Sequence, residues 1–250
     1  MTPGADLDQL FIGWDVGGWN CDKNPNSRDA LVILDADGQR IGQPWRGNLR
    51  QTINASETGA AFLAAFLALC KVSKAADHVQ ATLAIDASLG FPEAFTSLIA
   101  RRTAVAELGQ SAANPYLYRL TERRLAEEGI TPLSAIKDMI GSQSTKAMHV
   151  LARFAPHPIA TGVWSDGEAL TMIETYPALC RARARGVFTE LTKSIKGREA
   201  DIIDAEVCAH IAHVFALRRD WLEAPPSNAP PSEGWIWAPL PQINSKQVQS

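Results

Sequence analysis

The sequence predicts an α/β fold in which helices flank a mixed sheet, and three observations predict it. Short apolar runs of strand length recur between segments of helical period. The early runs follow one another through turn-rich links, as an antiparallel meander does. The later ones, Thr82-Leu83-Ala84-Ile85 and Leu170 to Glu174, are separated by helical stretches, as buried parallel strands are.

Taken in order, residues 1–9 read as a flexible tail and residues 10–15 as a first strand. "NCDKNPNS" is turn chemistry, rich in Asn, Asp and Pro. A second strand follows from Ala30 to Leu34, closed by an Asp-Gly turn, and a third around Ile41 to Trp45. Residues 57–72 carry Phe62, Leu63, Phe66 and Leu69 on one face of a helix. The fourth strand, 82–85, leads through Gly90 and Pro92 into a helix over about 93–108. Helical patterns continue over 114–128 and 134–155, the second interrupted at Gly141, so about 109–155 reads as a helical insertion. The fifth strand, 170–174, precedes a helix opening at Pro177, where proline suits the first turn. A long helix spans about 199–219. The Pro-rich stretch 222–250 reads as an extension pinned by Trp235 and Trp237. With no internal repeat and no boundary between, 10–221 is expected to be a single domain.

Composition narrows the function classes. Hydrophobic residues make up 46% and charged residues 20%, an ordinary globular balance that argues against a disordered chain. The net charge of −3 supplies no global field for nucleic acid or membrane. Basic residues do cluster locally, at Arg119, Arg123, Arg124, Lys137 and Lys146, and again from Arg181 to Arg198. None of the four cysteines stands in a C-x-x-C pair, which disfavours a zinc knuckle. The longest apolar run, 60–69, is too short for a membrane span, and no signal-like segment opens the chain. A cytoplasmic, reduced protein without a membrane partner is expected.

Three of the strands end in an acid: Asp15, Asp86 and Glu174. The ends of neighbouring parallel strands lie side by side, and ligands collect there. Acids gathered at such an edge repel each other unless a cation bridges them. In the last helix, Asp204, Val207, Cys208 and Ile211 share one face, so Asp204 heads the stripe that packs on the sheet. Asp201 lies one turn before it. Oxygen ligands in this number suit Mg²⁺ or Mn²⁺, and two such ions can clamp the attacking and leaving oxygens of a phosphodiester. Asp15, Asp86, Glu174 and Asp201 each also have an ordinary reading, as turn residue, cap or partner of a helix dipole; Asp204 is harder to explain that way, because it interrupts an apolar face.

The order of these parts resembles the ribonuclease H-like superfamily. Within it the chain resembles the domain-of-unknown-function family 429, described as predicted nucleases. The resemblance rests on "GWDVGGWN" at 13–20, "AIDASLGFP" at 84–92, "IETYP" at 173–177 and "DIIDAEVCA" at 201–209. Ser88 departs from the family's pattern, which has proline there. The resemblance implies a ribonuclease H-like mixed sheet, here of five strands, flanked by helices. It implies metal ligands at Asp15, Asp86, Glu174 and Asp204, with Asp201 a further candidate, and catalysis by the first four. A nucleic acid, DNA or RNA, is then the expected partner, and the oligomeric state stays open, a homodimer being one option.

Further polar residues invite a substrate role. Gln143, Lys146 and His149 share a helical segment and suit phosphate contact or water positioning. Arg119 and Arg123, beside Tyr116 and Tyr118, suit a single strand's phosphates and bases. Solvated helix faces would explain both groups equally well. Two rival functions remain. "DVGG" resembles the phosphate loop of sugar kinases and actin-like ATPases, although those proteins duplicate the domain and this chain has one set of strands. A catalytically silent binding module on the same scaffold is the other.

Overall fold

The computed structural model describes residues 8–131, 133–138, 140–183 and 200–241. Seven strands form one mixed sheet, flanked by helices: β1 (Asp8–Asp15), β2 (Asp29–Leu34), β3 (Arg40–Gly47), β4 (Val79–Asp86), β5 (His157–Ala160), β6 (Val163–Ser165) and β7 (Leu170–Glu174). Their spatial order is β3-β2-β1-β4-β7-β6-β5. The central three, β1, β4 and β7, run parallel, and antiparallel hairpins extend the sheet on both sides.

The α/β class is as expected, with two more strands than the five that the sequence implies. The additional pair, β5 and β6, escapes a pattern search because all four residues of β5 are exposed and Pro158 interrupts it. The first strand begins at Asp8, so the last two residues of the expected tail belong to the sheet; residues 1–7 lie outside the described part.

The helices are α1 (Arg50–Ala55), α2 (Gly59–Leu69), α3 (Glu93–Arg101), α4 (Leu120–Glu127), α5 (Gly141–Phe154), α6 (Pro177–Arg183) and α7 (Ala200–Leu217). One sheet face buries Leu10, Ile12 and Trp14 against Phe62 and Phe66 of α2 and Val150 and Phe154 of α5. The other buries Phe11, Ala84 and Ile173 against Ala205, Cys208 and Ala212 of α7. This is the alternation a strand buried on both faces must show.

Two contacts decide where the functional edge falls. A side chain at Gly13 would place its Cβ 1.8 Å from the Ala205 carbonyl oxygen and 2.4 Å from the Ala209 nitrogen. Only glycine lets α7 lie directly on β1, with alanines opposite. The second contact is made by the Pro-rich stretch, which is pinned to the body as expected. Trp235 and Trp237 are buried, the Trp237 amide donates to the Glu174 carbonyl at 2.9 Å, and Ile236 bridges in parallel to the end of β7.

Glu233, buried on the same stretch, accepts from the Glu93 amide at 2.8 Å and the Leu120 amide at 2.6 Å. One carboxylate thus satisfies free N–H groups at the first turns of both α3 and α4, where negative charge is also favoured. No helix among the described residues is long and apolar enough to cross a membrane.

Candidate functional site: acids at the ends of the parallel strands

The carboxyl ends of β1, β4 and β7 meet at one edge of the sheet. In the parallel register Asp15 stands directly opposite Asp86. Glu174 is out of line by one residue, opposite Ile85. The close seat of α7 on Gly13 brings its first turns over the same edge, with Asp201 and Asp204. All of the acids read from the sequence are therefore brought to one region, but their surroundings divide them.

Asp15 and Asp86 form the first group. Both line a cleft of about 190 Å³, each partly open to it. Neither carboxylate makes a hydrogen bond or ion pair among the described residues. Burial, followed by the charges of Asp86 and Asp204, raises the Asp15 pKa well above the usual carboxylate range. Burial, with the Asp204 charge next, pushes Asp86 up to about 8, while Arg181 pulls it back. The desolvation and the like-charge repulsion both disfavour two anions side by side.

The other acids are already balanced. Glu174 receives both terminal nitrogens of Arg119, at 2.6 and 2.7 Å, and the Leu89 amide at 2.9 Å. Asp204 is paired with Arg181. Asp201 accepts from Arg46 at 2.7 Å and from the Arg28 amide at 3.0 Å.

The residues expected to touch substrate divide as well. Arg119 is fully buried, held by Glu122 and Glu174, and donates to the Glu233 carbonyl at 2.9 Å. It lines the cleft floor as part of the frame, with its charge already spent on two carboxylates. Lys146 is neither at the mouth nor on a solvated face. It is completely buried, ion-paired to Asp29, with a 3.2 Å bond to the Gly17 carbonyl. Gln143 does line the cleft. His149 is exposed and meets the Trp19 ring edge-on at 5.7 Å. Arg123 is half-buried, away from the cleft lining, and its Nε has no hydrogen-bond partner among the described residues.

Sequence reasoning passed over Asp29. It sits at the start of β2 and is fully buried, where it accepts from the Trp14 indole at 3.1 Å, Gly17 at 2.9 Å and Leu49 at 2.7 Å. It fixes the "DVGG" loop. Three further residues of that region, Ser27, Thr175 and Tyr176, also line the cleft. The one signal for them is position, each lying within two residues of an acid or at the end of a turn-rich link.

The donor set fits a divalent cation at Asp15 and Asp86, two desolvated carboxylates that no described residue hydrogen-bonds or ion-pairs, with Arg181 acting on Asp86 only from a distance. Asp204 can join them once Arg181 releases it. Among the described residues no group of three or more acids, histidines or cysteines is already arranged as a metal cage. No family profile, curated protein or solved structure matches the chain.

Proposed function

We propose that the protein is a metal-dependent nuclease that hydrolyses phosphodiester bonds of DNA or RNA at the β1–β4–β7 edge. The observation that carries this reading is the Asp15–Asp86 pair: two neighbouring acids at parallel strand ends, desolvated, unpartnered and open to a cleft. Such a pair is costly to a fold unless a cation uses it. The resemblance of the four sequence stretches to a family of predicted nucleases supports the same reading.

A bound Mg²⁺ or Mn²⁺ supplies positive charge at the phosphate and a water of lowered pKa. The chain's own residues hold and shape that site. Asp15 and Asp86 would hold the first ion, with Asp204 a further ligand, and Glu174 would be the candidate for a second. Glu174 reaches that role only by giving up part of its Arg119 pairing, so we assign it mainly to positioning: it anchors the 87–89 turn through the Leu89 amide. Asp201, tied to Arg46, orients the first turn of α7.

The test is cleavage of labelled single- and double-stranded DNA and RNA with Mn²⁺ or Mg²⁺, with EDTA, and with Asp15→Asn in parallel. Metal-dependent cutting absent from the variant is expected. Wild-type activity that survives both EDTA and Asp15→Asn would sink the reading. If Mn²⁺ binds at Asp15 and nothing is cut, the protein is a binding module instead.

A further inference from the structure

The cleft is lined by residues of two kinds. Asp15, Asp86 and Glu174 are acidic. Leu133, Ile140 and Ile236, with the Tyr176 ring and the Gln143 amide, are apolar or neutral. Arg119 also reaches the lining, but its guanidinium is satisfied by Glu122, Glu174 and the Glu233 carbonyl. Among the described residues, the cleft lining therefore offers no spare cation to a second phosphate.

It does offer hydrogen-bonding groups in need of partners. Neither the Gln143 amide nor the Tyr176 hydroxyl makes a hydrogen bond among the described residues. The Tyr176 side chain is half-buried and packed against the core cluster under the α7 face of the sheet, which limits its freedom. A volume of about 190 Å³ is smaller than the ~300 Å³ at which drug-sized pockets begin. It has room for one planar ring system.

We propose that these neutral lining residues form a slot for a single nucleobase, stacked on Tyr176 and read at its edge by Gln143, so that the substrate enters as an unpaired strand. The inference rests on the nuclease reading for the phosphate at the acids and adds the substrate class. Chemistry on a base or phosphate held this way requires the nucleotide to leave the stack, which is easiest in a single strand or at a frayed end. Aromatic stacking tolerates any base, and a lone glutamine amide adds a modest preference among them.

The experiment has two arms, so that the slot and the nuclease can fail separately. In the first, saturation-transfer NMR follows a neutral nucleoside with no metal, against the wild type, Tyr176→Phe and Tyr176→Leu. The expected result is binding to the first two and a loss of about tenfold or more in Tyr176→Leu. In the second, calorimetry with Mn²⁺ compares a nucleoside monophosphate with ribose 5-phosphate, which lacks a base. The monophosphate is expected to bind at least tenfold more tightly, with Gln143→Ala altering the ranking of the four bases.

Nucleoside binding that depends on Tyr176 supports the slot even if no nucleic acid is cut. Equal binding of the baseless phosphate, or full binding by a Tyr176→Leu protein that melts like the wild type, overturns the slot and leaves the nuclease reading in place. So does duplex cleavage that matches single-strand cleavage in rate and is unaffected by Tyr176→Leu.

Discussion

Asp29 and Asp86 sit two strands apart at the same edge of one sheet, and the fold treats them in opposite ways. Burial holds both carboxyls above their usual range. Asp29 is answered by Lys146, two backbone amides and the Trp14 indole. Asp86 has like-charged neighbours and a cleft. The same residue type is thus bound into the frame where the chain completes its shell and left open to a cleft where it does not. Glu174 falls with Asp29, since Arg119 plays for it the part that Lys146 plays for Asp29.

This contrast can be broken most forcefully at Arg119. Arg119→Met strands Glu122 and Glu174 in a buried site, and loss of one partner from such a network costs about 3–5 kcal/mol. Urea denaturation should show that loss, with metal present or absent. A change of under 1 kcal/mol would mean that the guanidinium was not holding the two acids.

Asp86 should respond with the opposite sign. Its folded pKa is raised to about 8 from 3.8, so between those values the folded chain keeps a proton that the unfolded chain has released. Stability of the metal-free protein therefore falls as pH rises through that window. Asp86→Asn removes the penalty and should stabilise the metal-free protein by about 1–3 kcal/mol at pH 8 and far less at pH 5. Identical stability of the two proteins at both pH values would show that the carboxyl is not desolvated. Added Mn²⁺ should raise the wild-type melting temperature and leave that of the variant unmoved.

The smallest effect on the fold is expected at Arg181. Its pair with Asp204 is about a quarter exposed, so Arg181→Gln should change stability by less than about 1 kcal/mol. Mn²⁺ affinity, measured by calorimetry, should nevertheless rise several-fold, because a competitor for Asp204 has gone. Weaker Mn²⁺ binding in this variant would indicate that Arg181 orients the acid for the ion.

How much of this could be read from residues alone depended on the range of the interaction. Strand β7 matches its expected bounds at both ends, and β1, β2, β3 and β4 differ by a few residues, because apolar runs and turn residues are local signals. Helix ends were less legible. The segment expected to be helical over 114–128 is helical only from Leu120 to Glu127, after Asn114-Pro115 and a turn. The helix expected to reach 108 stops at Arg101, with Arg102 in the left-handed region at φ 54°. The acids were legible because each closes a strand or heads an apolar stripe. Their counter-ions were not: Arg119 lies 55 residues from Glu174, and Lys146 lies 117 from Asp29. No local pattern distinguishes a lysine on a solvated face from one folded inward onto an acid, so the division of the carboxylates into paired and open emerges only from packing.

Glu233 carries a consequence for the order in which the molecule is made. Its carboxylate joins the first turns of α3 and α4, its carbonyl accepts from Arg119, and Ile236, three residues on, bridges to the end of β7 and forms part of the cleft wall. All of these partners precede it in the chain by 59 residues or more, as the step from Glu174 to Glu233 shows. During vectorial synthesis the sheet and its acids can emerge and pair while the cleft still lacks a side. A nascent chain that has not yet released residues 233–237 from the ribosome has Asp15, Asp86, Glu174 and Asp204 but not the Ile236 lining of the cleft. Closure of the cleft in this way waits for residues 233–237, long after the strands that carry its acids.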